Sequence, residues 1–248
     1  MTILKGKKFW LRLVAGLLIV LVFYLALLCF PQPFFRWAVS ADNLALYSDR
    51  PFAPEDGKKI LEIAQAKLAT SPIYSSQEPH KIFICNSRWR EMLFFNWKSG
   101  VGGLNYYPLT SNIFLRGAVI EENRLISPSG NPVAGERTLD YFITHEIAHT
   151  ITTKAAGWYH HWRLPEWVRE GYPDYLGRGD AFHYDEARQA FLNDAREMDR
   201  WKSGLYLRYN LLVAYLLDKE HWSVEQLLTN AIDQQTIEDK VRAEKSEE

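Results

Sequence analysis

Five consecutive residues, His145-Glu146-Ile147-Ala148-His149, concentrate the chemistry of this chain. On a helix, side chains four positions apart stand one above the other on a single face. His145 and His149 can therefore direct their imidazoles at one point, with Glu146 beside them. Neutral imidazoles suit a zinc ion, and the adjoining carboxylate suits a base for a water activated by that ion. Glu170, in Pro165-Glu166-Trp167-Val168-Arg169-Glu170-Gly171, is the natural third ligand, with Asp174 as the alternative. A His, His, Glu set leaves one coordination position open, which separates reactive zinc from closed structural zinc. His160 and His161 fall between the two stretches. Being adjacent, they cannot both face one ion from regular structure, so packing or surface roles are expected, with contact to substrate left open.

Two helices must hold these groups. Leu139, Phe142, Ile143, Ile147 and Ile151 recur at three- and four-residue steps, which predicts a helix beginning near Glu136 with an apolar back. Glu170 opens a second helical stretch, and Pro165 sits where a first-turn proline is tolerated. A ligating histidine normally donates its other ring N–H to a carboxylate or carbonyl. Asp174, one turn beyond Glu170, is the candidate for that role, against the plainer reading of a solvent-facing carboxylate. Pro173 falls in the same turn and would kink it.

The pair HEIAH and PEWVREGYPDYL resembles the gluzincin metallopeptidases, most closely the small members of the peptidase MA-like group. The WxxEG pattern carries more specificity than HExxH. A metzincin arrangement fails, since its glycine would fall at Thr152 and its third histidine at Ala155. The resemblance spans residues 100–220. It implies an α+β, zincin-like domain in which a small mixed sheet accompanies an active-site helix and C-terminal helices. It also implies zinc on His145, His149 and Glu170, Glu146 as general base, and a peptide or protein substrate. A strand edging the cleft would pair with extended substrate, and Asn112–Arg116 is the matching stretch. The outline of Tyr206 followed by Tyr215-Leu216 is similar to the aminopeptidase-like members, where a tyrosine hydrogen-bonds the oxyanion. Carried over, that role falls on Tyr206, with Tyr209 and His183 as alternatives.

The rest of the chain bounds the setting. Among 248 residues the net charge is −1, with no basic block outside the N-terminus, so no pull toward nucleic acid is expected. Two cysteines, Cys29 and Cys85, do not make a disulfide framework. Residues 13–30 are uncharged and mostly apolar and follow Lys5, Lys7, Lys8 and Arg12. They read as an uncleaved transmembrane helix with a cytoplasmic N-terminus, the remainder lying outside the cytoplasm. A cleaved signal peptide is the competing reading, but no small-x-small site precedes Cys29. Phe34, Phe35 and Trp37 are expected to form an interfacial belt.

The resulting division is an anchor over 1–37, a linker over 38–57 marked by Pro51, Pro54 and Gly57, a catalytic domain over 58–235 and a frayed charged tail over 236–248. Within the domain, helices are expected over 55–70, 185–200 and 205–219, and strands over 80–86, 104–107 and 112–116. The aromatic stretch 88–98 belongs to the core as helix or strand. The glycines at 100, 102 and 103 lack the Lys-Ser/Thr of a phosphate loop and mark a turn. The rivals to a peptidase are a silent zinc-binding module that holds peptides at the membrane, zinc hydrolysis of another bond, and a membrane protein with a fortuitous motif.

Overall fold

The N-terminal apolar run forms one long helix, α1 (Thr2–Cys29), in a computed structural model that describes residues 2–95, 100–230 and 232–244. Its segment Phe9–Cys29 has 21 residues and a mean hydropathy of 2.6, long and apolar enough to cross a bilayer. The last turn packs on protein instead. Leu28 is buried, and Asn112 Nδ2 donates to the carbonyls of Leu28 and Cys29 at 2.8 and 3.1 Å. A helix end leaves such carbonyls without partners, and here a side-chain amide supplies one.

Strands β1 (Trp37–Ala41) and β2 (Leu44–Ser48) follow as an antiparallel hairpin. Residues 38–48 are thus part of the sheet and not of a linker. Asp42, at a left-handed φ of 48°, turns the chain there. Helix α2 (Pro54–Ala69) crosses to β3 (His80–Cys85), which pairs parallel with β2. Helix α3 (Arg88–Phe94) resolves the aromatic stretch in favour of helix, and its residues 96–98 lie outside the described ones. Strands β4 (Gly103–Asn105) and β5 (Ile113–Arg116) complete a mixed sheet of order β1-β2-β3-β5-β4. A two-stranded pair, β6 (Ala118–Val119) and β7 (Arg124–Leu125), lies apart.

This order corrects the expected substrate edge. β5 is parallel to β3 on one side and antiparallel to β4 on the other, so Asn112–Arg116 has no free edge. The edges are β1 and β4, and β4 is the one that lies along α4. The sequence Ile113-Phe114-Leu115 is apolar on both faces, as an interior strand requires.

The alternation sorts side chains by shape. Ile82, Ile84, Ile113 and Leu115 join an aliphatic core with α2 and the helices beyond. Phe83, Cys85 and Phe114 turn to the opposite face, where they meet Leu28, Phe35, Phe94 and Phe95. Phe114 stacks on Phe83 at 5.4 Å and on Phe94 at 4.7 Å between centroids. Phe35 is buried in this cluster and so leaves the expected belt, whereas Phe34, packed on its edge, and Trp37 are half-buried. The chain folds back onto the sheet as soon as α1 ends.

Helices α4 (Leu139–Ala156), α5 (Trp158–Arg163) and α6 (Glu166–Arg178) cover the aliphatic side. Behind them come α7 (Tyr184–Leu192), α8 (Arg200–Ser203), α9 (Leu207–Ala214), α10 (Val224–Thr229) and α11 (Gln234–Ala243). The helix expected over 185–200 stops at Leu192, where Asp194 takes a left-handed φ of 49°. α9 continues as a π-helical turn through Tyr215–Lys219. α11 occupies most of the expected tail: Ile237 and Val241 are buried and Glu238 pairs with Arg208, while residues 245–248 lie outside the described ones. Cys29 and Cys85 are free thiols.

Candidate metal centre

α4 runs through the middle of the molecule. Every residue from Leu139 to Thr153 except His149 is buried, so the helix has no polar outer face. Its start is fixed by Asp140, which accepts from Lys67 Nζ at 2.7 Å and Asn123 Nδ2 at 2.5 Å. Burial raises the Asp140 pKa, but the bonds from Lys67, Thr138 and Asn123 outweigh it and leave it below the ordinary value.

Two turns along, His145 and His149 bring their Nε2 atoms to 3.2 Å from each other. Glu170 Oε2, from α6, lies 3.6 Å from both. Donors on a tetrahedral ion with bonds of about 2.1 Å would lie about 3.4 Å apart. The three side chains thus form a donor set able to hold a metal ion, and among the described residues no other such group occurs. The charge states of Glu170 and His149 agree, while for His145 the burial that would lower its pKa is outweighed by the neighbouring carboxylates, which raise it. Burial opposes ionisation of Glu170, but His149 and His145 pull its pKa down to about 2. Burial lowers His149 to about 4 against the attraction of Glu170. At neutral pH this gives a carboxylate and a neutral ring, the forms that ligate a cation.

α6 approaches because Gly171 follows Glu170. A Cβ at Gly171 would stand 2.7 Å from the carbonyl oxygen of Tyr209, so the glycine of the WxxEG pattern admits the backbone of α9. Pro173 lies inside α6 without ending it.

Glu146 faces the free edge of the sheet. A Cβ at Gly103 would stand 2.5 Å from Glu146 Oε1, so only glycine lets β4 pass this close. Asn105 ties the strand to the helix, its Nδ2 donating to the Glu146 carbonyl at 3.0 Å and to Thr150 Oγ1 at 2.8 Å. Burial raises the Glu146 pKa to about 7, with the Glu170 charge adding to the rise. From sequence Gly103 read as part of a turn and Asn105 as part of a strand, neither as belonging to the site; the run of glycines before a polar strand was their only signal.

These groups line a cleft of about 430 Å³. Tyr206 is on its wall, its ring stacked on His145 at 5.9 Å and lying 5.2 Å beneath the Arg200 guanidinium. Burial and the Glu170 charge keep its phenol well above its ordinary pKa, hence protonated. The two alternatives are placed otherwise. Tyr209 directs its hydroxyl to Glu166 at 3.5 Å, and His183 caps α7 beside a separate hollow. His160 Nε2 contacts the Leu228 carbonyl at 2.9 Å, whereas His161 lines the cleft and bonds Thr152 and Thr153. Trp158 and Trp162, both exposed, form the outer rim with Val101.

Asp174 does not reach a histidine. It is fully buried and accepts from Tyr141, from Arg178 Nε at 2.7 Å and from Asn210 Nδ2 at 3.1 Å. His145 Nδ1 has no partner among the described residues. Asp174 therefore acts one layer further out, joining α4, α6 and α9 behind the ligands. None of the readings foreseen for it, a third metal ligand, a histidine partner or a surface carboxylate, is what the packing produces. Set against known proteins, the chain matches no family model and no curated sequence.

Proposed function

We propose that the chain is a membrane-anchored zinc metallopeptidase with a zincin-like fold, similar to the gluzincins. The observation that carries this reading is the meeting of His145, His149 and Glu170 donors beside Glu146, under a sheet edge free to pair with peptide. Held by those three residues, zinc would supply Lewis-acid polarisation and lower the pKa of water toward neutrality.

The protein's own groups do the rest. An extended substrate adds to β4, and its backbone is held by strand pairing. The Glu146 carboxylate accepts a proton from the water that attacks the scissile carbonyl carbon, then delivers it to the departing amine nitrogen. A pKa near 7 suits both transfers. The Tyr206 hydroxyl donates to the carbonyl oxygen as negative charge gathers there, an interaction strongest in the transition state. α1 crosses the bilayer, and its basic flank keeps the N-terminus in the cytoplasm and the cleft outside it.

The test is metal content and peptide cleavage on the full chain. Wild type is expected to hold one zinc, and Glu170→Gln to lose most of it. Glu146→Gln should retain the metal while turnover falls roughly 10²–10⁴-fold. A folded wild type that takes up no zinc, or a Glu146→Gln chain that cleaves at the wild-type rate, removes the reading.

A further inference from the structure

The cleft and the end of α1 share one short loop. Asn105 and Tyr107 line the cleft, and the loop then leads into β5. Two residues past Tyr107, the Leu109 carbonyl lies 3.8 Å from Cys29 Sγ. Asn112, at the end of that loop, caps the carbonyls of Leu28 and Cys29. Tyr24, a turn earlier in α1, donates to the Leu93 carbonyl at 3.1 Å. The helix is therefore docked on the domain at several points, and the height of the cleft above the helix end is fixed.

That height is small. Two residues of chain span at most about 7 Å, so Tyr107 lies within that distance of Leu109. The headgroup layer flanking the hydrocarbon is about 5–8 Å thick on each side. Exposed apolar side chains surround the same junction: Phe30 at 71%, Trp89 at 48% and Leu109 at 43% exposure. Trp89 packs edge-on against Phe34 and carries the Arg90 guanidinium 4.2 Å above its ring. An aromatic ring beside a cation, around the exit of an apolar helix, has the composition of a membrane interface.

We propose that the occupant of the cleft is the juxtamembrane segment of another membrane-anchored polypeptide, bound along β4 where β4 meets the headgroup layer. The location rests on the docking of α1 and on the proposed crossing of the bilayer by that helix; cutting of the segment rests on the peptidase reading above. A tethered segment is confined to the layer in which the lower lip of the cleft lies, which raises its effective concentration there without any new contact.

The test uses the full chain in liposomes, with a photoreactive benzoyl-phenylalanine replacing Val101 on the cleft rim. The probe is a single-pass peptide carrying about forty randomised residues outside the bilayer. Crosslinks are expected within about ten residues of the bilayer, a reach of about 33 Å. They should exceed those to the distal residues, or to the same library without its anchor, by roughly tenfold or more. Crosslinks spread evenly along the probe, equal labelling of the unanchored library, or no crosslink at all would overturn the proposal. Zinc-loaded wild-type chain is then added to the same probe. Proximal crosslinks without cuts would remove the peptidase reading and leave the location standing. Cuts distributed along the whole probe would do the reverse.

Discussion

The two faces of the five-stranded sheet are built from different chemistry. On the side of α4 and α6, aliphatic packing surrounds buried polar groups that bond in closed sets: Lys67 with Asp140 and Asn123, and Asp174 with Tyr141, Arg178 and Asn210. On the side of α1, stacked rings meet Leu28 and Cys85, and the polar side chains Asn112, Tyr24, Tyr106 and Arg90 donate to backbone carbonyls. The polar sets hold orientation, because each bond fixes a direction, and the three candidate metal ligands stand on that side. The aromatic face holds area. A protein that must aim three donors at one point has placed its directional bonds behind them.

That contrast can be broken most forcefully at Asp174. Asp174→Ala leaves Arg178 without its buried partner and should cost about 3–5 kcal/mol in urea unfolding. It should also weaken zinc retention in the chain that remains folded. A loss under 1 kcal/mol would mean that the polar set does not support the site.

His80, on the same side of the sheet, makes the polar face sensitive to acid. It is 2% exposed, and neither ring nitrogen has a partner among the described residues. Burial lowers its pKa from 6.5 to about 4. The unfolded chain therefore takes up the proton first. The contribution is complete above pH 6.5 and is lost progressively as pH falls toward 4, up to about 3 kcal/mol. His80→Phe should flatten this part of the acid limb relative to wild type, and parallel limbs for the two proteins would refute the assignment.

On the aromatic face the expected effects are smaller and indifferent to pH. Asn112→Ala leaves the terminal carbonyls of α1 without their donor and should cost about 1–3 kcal/mol. The loss should be accompanied by faster hydrogen exchange in the last turn of α1. Phe114→Leu should cost about 1 kcal/mol, equally at pH 5 and pH 7. A marked pH dependence there would blur the distinction between the faces.

What the sequence made legible was local. The spacing of His145 and His149 is a property of any helix, and α4 contains it within a few residues of the expected start. Glu170 was legible through its flanking tryptophan and glycine, and the structure supplies the physical reason for that glycine in the approach of α9. What stayed hidden was non-local. Strand order decides that β4, only three residues long, is an edge and that β5 is interior, and no pattern within either strand encodes this. Residues 38–48 read as linker because prolines and a glycine follow, although Asp42-Asn43 between two short alternating runs was a hairpin signal. The tail was obscured by its charges, with the Ile237 and Val241 pair, four apart, as the trace of a buried face. Asp174 looked like a ligand's neighbour because sequence shows that a carboxylate is near, but not which of Tyr141, Arg178 and Asn210 will converge on it.

The docking of α1 onto the aromatic cluster sets a condition on how the protein ends its life. Leu28 and Phe35 come from the helix end and the turn after it, yet both are buried in the same cluster as Phe83, Phe94 and Phe114. A cut between Cys29 and Trp37 would not shed an intact soluble domain. It would free Leu28 to depart with the helix and leave stacked rings facing water, a surface that invites aggregation and degradation. Removing α1 and uncovering the aromatic cluster are then one event.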